Sequence, residues 1–226
     1  MIRRIGVVVP AHDEETRVRR CIEALSRAAQ AVSVPVTVMV VLDDCSDRTE
    51  QVCRSLPVDI LAVKARAVGV ARHAGITSLL SGAMDLGTIW ISNTDADSVV
   101  PITWLRNQLE LASSGADVVV GTVGLFDEEN QLGKGFRDMY SLGVCPSAGH
   151  AHVHGANFAF RASAYLNVGG FPPLAVHEDR SLLQRLESSG AMVVRSTRIR
   201  VQTSARLVGR CEGGFATVLR QLSFAS

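Results

Sequence analysis

Three times within its first hundred residues the chain builds an apolar run, breaks it at a small acidic cluster and continues with helical spacing. Ile5-Gly6-Val7-Val8-Val9 ends at Pro10 and passes into Ala11-His12-Asp13-Glu14-Glu15. Val36 to Leu42 stops at Asp43-Asp44-Cys45-Ser46-Asp47, and Thr88-Ile89-Trp90-Ile91 stops at Ser92-Asn93-Thr94-Asp95-Ala96-Asp97-Ser98. Short unbroken apolar runs suit strands covered on both faces, as in parallel sheets. Val18, Ile22, Leu25 and Ala29 then repeat at helical spacing. Ser46 is placed to cap a second helix, with Glu50 beyond it. Val58 to Val63 reads as a third strand, and Ala67 to Leu80 as a helix with Val70, Ala74 and Ile76 inward. Pro101 opens a helix through about Ser114, closed by Gly115, and Ala116 to Val120 is a fifth strand. Alternating strands and helices predict an α/β fold, doubly wound around a mostly parallel central sheet. In such folds ligands bind beyond the carboxyl ends of the strands, where all three acidic clusters fall.

From Gly121 the pattern loosens. Gly133-Lys134-Gly135 and Ser141 to Gly149 read as loops, Val153 to Phe160 as a strand and Ala162 to Val168 as a short helix. Gly169 to Pro173 is a turn, Glu178 to Ser189 an amphipathic helix, and Val193-Val194 and Ile199 to Gln202 closing strands. No repeat or linker divides the 226 residues, so one domain is expected. A net charge of +1 argues against nonspecific nucleic-acid binding, which needs a strong basic excess. The five cysteines form no C-x-x-C pair and read as reduced thiols of a cytoplasmic protein. The chain enters a strand pattern at once, so no signal peptide is expected. Its most apolar stretch, Ala31 to Leu42, is interrupted by Pro35 and too short to span a bilayer.

The chemistry concentrates at the strand ends. In extended backbone residues two apart share a side, so Asp95 and Asp97 can converge. Converging carboxylates repel unless a proton or cation lies between them; a hard divalent ion, Mn²⁺ or Mg²⁺, shared with a substrate phosphate would serve. Solvated turn residues are the plainer alternative. A dinucleotide dehydrogenase would need G-x-G-x-x-G after the first strand; Pro10-Ala11-His12-Asp13-Glu14 has no glycine. A sugar-nucleotide pyrophosphorylase would want a glycine-rich basic loop there, and none exists.

Five segments in order resemble a family-2 glycosyltransferase of the GT-A fold. Val8 to Glu14 is similar to the family's opening strand and acidic turn. Val41-Leu42-Asp43-Asp44-Cys45-Ser46-Asp47 resembles V-D-D-x-S-x-D, and Ala67 to Gly75 resembles the A-R-N-x-G helix, with His73 in place of Asn. Thr94 to Ser98 resembles the D-x-D loop. Gly155-Ala156-Asn157-Phe158-Ala159-Phe160-Arg161, Gly169-Gly170-Phe171 and His177-Glu178-Asp179 resemble the acceptor-side segment and E-D motif.

The resemblance implies a nucleotide-diphospho-sugar donor bound mainly by residues 1–120, with residues 121–226 serving the acceptor and catalysis. Pro10, Ala11 and Glu14 would line the nucleotide pocket, and Asp44, or else Asp43, would hold the base. Arg72 would reach toward base or diphosphate; its alternative is a solvated helix face. The Asp95-Ala96-Asp97 loop would carry ribose and metal, Asp97 on the ion and Asp95 on ribose or ion. Asp179 would be the general base of an inverting transfer and Glu178 a supporting acid, while Gly155, Ala156 and Asn157 would face the acceptor. A retaining enzyme with His177 on the metal, or a silent nucleotide-sugar-binding subunit, are the alternatives. His150, His152, His154 and His177 cluster late in the chain, and His152 and His154 on one extended face would also suit a metal.

Thr203 to Gly214 reads as a basic loop whose Arg206 and Arg210 could grip a diphosphate or an anionic acceptor. Phe215 to Phe224 has helical apolar spacing, suited to packing on the core or on a second subunit of a homodimer. The Q-x-x-R-W motif of processive relatives is absent, since Leu183-Gln184-Arg185-Leu186-Glu187 stands there. Transfer of one sugar to a soluble or lipid-surface acceptor is therefore expected, the latter implying a protein peripheral to the membrane.

Overall fold

A computed structural model describes residues 1–126, 144–145 and 149–206. Strands β1 (Arg4–Ala11), β2 (Val36–Asp43), β3 (Asp59–Val63) and β4 (Ile89–Asn93) alternate with helices α1 (Val18–Gln30), α2 (Thr49–Arg54) and α3 (Val68–Leu80). There follow β5 (Ser98–Val99), α4 (Trp104–Ser113) and β6 (Val118–Leu125), then the short pair β7 (Val144–Cys145) and β8 (Gly149–His150). A 3₁₀ turn at Gly155–Asn157 leads into β9 (Phe158–Arg161), α5 (Ala162–Asn167), α6 (Glu178–Ser188) and β10 (Val193–Thr203).

The main sheet has eight strands in the order β3-β2-β1-β4-β9-β6-β10-β5. β3, β2, β1 and β4 run parallel, as do β6 and β10. β9 lies antiparallel between β4 and β6, and β5 lies antiparallel on β10. The sheet is thus mixed, its parallel half carrying the acidic turns and its second half interrupted by β9. Alternation along each strand sorts side chains to the two faces. Val7, Val9, Val40, Leu42 and Trp90 pack on α1 and α4, while Val8, Val41, Ile91, Phe158 and Phe160 pack on α3, α5 and α6. Two cores result, one on each side of the sheet.

Several sequence expectations shift. The second helix starts at Thr49 with Arg48 at its N-cap, and Asp47 rather than Ser46 takes the Thr49 N–H, at 2.9 Å. Ser46 instead donates its own N–H to Asp13 at 2.7 Å. In α3 the buried face is Gly69, Ala71, Arg72, Gly75, Ile76 and Leu80, so Val70 and Ala74 are not its centre. Here close approach decides: a Cβ on Gly75 would lie 2.6 Å from Val41 Cγ2 and 2.9 Å from Val8 Cγ1, so only glycine lets the helix settle against β1 and β2. The fourth helix begins at Trp104, its first turn closed by the Trp104 N–H bonding Pro101 O. The two closing strands are one strand, β10, with a register shift between Ser196 and Arg200 that marks a bulge. Only Phe158 onward of the expected 153–160 strand is extended and paired.

Candidate active site

The carboxyl ends of β1, β2 and β4 are knit together by their own acids. Asp13, with φ 52°, accepts the backbone N–H groups of Ser46 and Asp47, the Ser46 bond being the main cause of its lowered pKa. Asp47 takes the Glu15 N–H at 3.0 Å. Asp43 is buried and accepts three successive N–H groups, from Ala65, Arg66 and Ala67, at 2.7–3.1 Å. It shapes the loop before α3, and a carboxylate so engaged is a scaffold. Asp44 is the more open of the pair, with φ 53° and an ion pair to Arg66 at 2.6 Å. Pro10 is half-buried and Ala11 buried at the end of β1.

Arg72 does not lie on a solvated helix face. It is 2 % exposed, and its guanidinium joins Asp95 at 2.6 Å to Glu178, which is 4 % exposed. One buried cation thereby ties the loop after β4 to the first turn of α6. The guanidinium lies against Gly155, where any Cβ would overlap it. The Gly155 N–H in turn donates to Asp179 Oδ2 at 2.8 Å, and the Arg180 N–H to Oδ1 at 2.7 Å. Glu178 has its pKa raised, chiefly by burial and against the pull of Arg72. Asp179 stays half-exposed, and each oxygen keeps a lone pair for a further donor.

Asp97 is the most desolvated acid of the loop. Burial pushes its pKa up to about 6, although the nearby Arg206 charge pulls the other way. Arg206 Nη2 stands 3.1 Å from Asp97 Oδ2, and its Nη1 bonds Glu14 Oε1. The other oxygen of Asp97 takes the Thr203 hydroxyl at 3.3 Å. Glu14 is buried at the head of α1 and converges with Asp97 on one guanidinium. Ala96, between the two aspartates, is buried in the core.

Other expected site residues are held elsewhere. Asn157 is buried with its amide fully engaged: Nδ2 donates to Thr122 O and Ile199 O at 2.8 and 2.9 Å, and Oδ1 accepts from Trp104 Nε1 at 3.0 Å. It pins β6, β10 and α4 together, and both hydrogens of its amide are spent on backbone carbonyls. Ala156 is buried beside it. His177 is exposed and caps α6 in the left-handed conformation, φ 63°. His152 and His154 do share a face, but their rings stack 5.9 Å apart at 20°, in line with His150 at 6.1 Å. Stacked planes do not aim nitrogens at one point. His150 has both nitrogens against carbonyls, His152 O and Val120 O. Among the described residues no three of His, Cys, Asp or Glu are grouped to share an ion. Arg210 and the Phe215–Phe224 segment lie outside the described residues.

Sequence reasoning missed Asn93 and Thr94. Both are fully buried, and Asn93 Oδ1, Thr94 Oγ1 and Arg72 Nε have no hydrogen-bond partner among the described residues. Unpaired buried polar atoms gathered at a strand end mark where water or ligand supplies the missing bonds. A polar Ser-Asn-Thr run inside an otherwise apolar strand was the available signal.

A mixed α/β sheet with acids at its parallel carboxyl ends and an acid pair opening a later helix defines a fold of the GT-A class. A model of glycosyl transferase family 2 matches residues 6–168, well over half of the chain, and the protein belongs to that family. Solved structures agree on the fold. S. aureus TarS 1-349 in complex with UDP-GlcNAc superposes with a TM-score of 0.66 at 14% identity, over 94% of this chain and 61% of that one. Mannosyltransferase PcManGT from Pyrobaculum calidifontis, in complex with GDP-Man and Mn2+, gives 0.66 at 18%, over 95% and 59%. The chain thus spans about three fifths of the length of these solved relatives. No curated protein matches it. Among the described residues no helix is long and apolar enough to cross a membrane.

Proposed function

We propose that this glycosyltransferase moves one sugar from a nucleotide-diphospho-sugar to an acceptor hydroxyl with inversion, Asp179 acting as general base. The observation that carries the reading is the Arg72 bridge, which holds the Asp95 loop and the Glu178-Asp179 turn at one place. The relatives in complex with UDP-GlcNAc and with GDP-Man and Mn2+ support a donor of this class, residues 1–120 binding it and 121–226 serving the acceptor.

A divalent ion fits on the chemistry of the donor set. Asp97 and Glu14 are oxygen ligands already converging on a positive charge, and Mg²⁺ or Mn²⁺ commonly takes one or two carboxylates with the rest of its shell from phosphate and water. Asp97 would hold the ion, with Asp95 turned toward ribose because Arg72 engages its carboxylate. Bound there, the ion would supply positive charge for the departing diphosphate. Asp44 would face the base and Asp43 would shape its pocket. Gly155 orients Asp179, and Asp179 takes the acceptor proton as the oxygen attacks the anomeric carbon. The bond from that carbon to the diphosphate oxygen breaks and nucleoside diphosphate leaves. General-base catalysis contributes about 10²–10⁴-fold. The retaining alternative relied on His177 beside the metal, and the exposed cap position of His177 favours inversion.

Asp179→Asn tests the reading. Donor binding by calorimetry should persist while transfer, followed as nucleoside diphosphate release with acceptor present, falls by at least about 10²-fold; unchanged turnover removes Asp179 as base.

A further inference from the structure

The guanidinium of Arg206 stands where a cation is needed. Glu14, at the end of β1, and Asp97, after β4, come from separate turns and are 4 % and 10 % exposed in their side chains. Two carboxylates withdrawn from water at one place require a counter-charge, because burial penalises each and proximity penalises both. Arg206 supplies it, one Nη on each carboxylate.

The same two oxygens are those a divalent ion would use. An ion seated between Asp97 Oδ2 and Glu14 Oε1 would take the place of the two Nη groups, and there it would meet their N–H protons and the positive charge of the guanidinium. The two occupants are mutually exclusive at that point, and they differ in charge, one positive unit against two. Exchange needs little of the fold to move. The backbone leading to Arg206 is anchored by the Thr203 carbonyl accepting the Phe126 N–H at 3.1 Å, by the Thr203 and Ser98 hydroxyls bonding at 2.9 Å, and by the Arg206 N–H on Ser204 Oγ at 3.2 Å. The Arg206 side chain is 25 % exposed and has a long flexible stem with an open route to solvent.

We propose that Arg206 is the resting counter-ion of the ion site: its guanidinium and the divalent ion compete for Asp97 and Glu14, so ion binding requires Arg206 to leave. The inference rests on the reading of Asp97 as the ion's ligand. It makes Arg206 a brake on the empty enzyme, because the ion alone must displace a charge-assisted pair before it binds.

The experiment measures Mn²⁺ binding to the whole chain without nucleotide, counting free ion by electron paramagnetic resonance. Wild type is compared with Arg206→Ala, Arg206→Lys and Asp97→Ala, each checked for a native thermal transition. Arg206→Ala should bind Mn²⁺ about tenfold or more tighter, as expected when a competing charged hydrogen bond is removed. Arg206→Lys, which keeps a cation in reach, should stay close to wild type, and Asp97→Ala should lose the binding. If Asp97→Ala loses binding but Arg206→Ala binds Mn²⁺ no tighter than wild type, competition is refuted and the ion site stands. If Asp97→Ala binds like wild type, the ion-site reading fails and the competition fails with it.

Discussion

Replacing Arg72 by alanine removes the one charge shared by Asp95 and Glu178. Asp95 is about a third open to solvent and can rehydrate, but Glu178 has a side-chain exposure of 6 % and is left charged beside the apolar core of the α3–α6 face, which includes Leu182 and Phe171.

 Breaking a buried pair from one side costs about 3–5 kcal/mol, because the remaining partner stays desolvated without compensation. For a chain of this length about 1 kcal/mol moves the melting temperature by about 2–4 °C, so a fall of roughly 6–20 °C is expected in Arg72→Ala. The sign of its pH dependence follows from Glu178, whose folded pKa is already raised by burial and rises further without the cation. A raised carboxylate binds protons more readily in the folded state, so stability declines as pH climbs from the unfolded value through the folded one. The deficit of Arg72→Ala should therefore shrink as pH is lowered toward the ordinary glutamate range. Urea unfolding of Arg72→Ala, Glu178→Gln and the double variant gives the coupling directly. The double variant should recover part of the loss, since the amide carries no charge. A loss under about 1 kcal/mol in Arg72→Ala, with no coupling to Glu178→Gln, would refute the buried bridge.

Two further outcomes follow from close packing and from burial. Gly75→Ala should lose about 1–3 kcal/mol by overpacking against Val8 and Val41, measured by urea unfolding, whereas a loss below about 0.5 kcal/mol would mean that α3 does not sit this close to the sheet. His154 has its pKa pushed down to about 3, first by burial and then by the His152, His150 and Arg180 charges. Stability linked to it is complete above the ordinary histidine value near 6.5 and is lost as pH falls toward 3, about 2 kcal/mol of it by pH 5; His154→Gln should flatten that part of the acid limb of a thermal-melt series.

Much of the parallel half could be read from the chain, because period-two and period-3.6 patterns report burial of local segments without reference to the rest of the fold. β1, β2, β3, α1 and α6 stand close to their expected bounds for that reason. The phase of α3 could not be read the same way. Hydrophobicity points to Val70 and Ala74, yet the helix turns Gly75 to the sheet, since contact distance and not apolar character selects the face. Insertion of β9 between β4 and β6 likewise depends on pairings distant in sequence, which no local pattern encodes.

The site divides along the same line. Acid clusters at the ends of apolar runs, and an acid pair opening a late helix, were properties of the sequence by itself, and they suffice for the family because each is a short contiguous motif. Which acids are scaffold and which are left facing the site was decided by the tertiary structure alone. Asp13, Asp43 and Asp47 are claimed by backbone N–H groups, Asp95 and Glu178 by Arg72, and Glu14 and Asp97 by Arg206. An aspartate has the same letter in every one of those roles. Its role depends on the donors that reach it and on how much water it loses, and both are set by residues that come close only when the chain is folded.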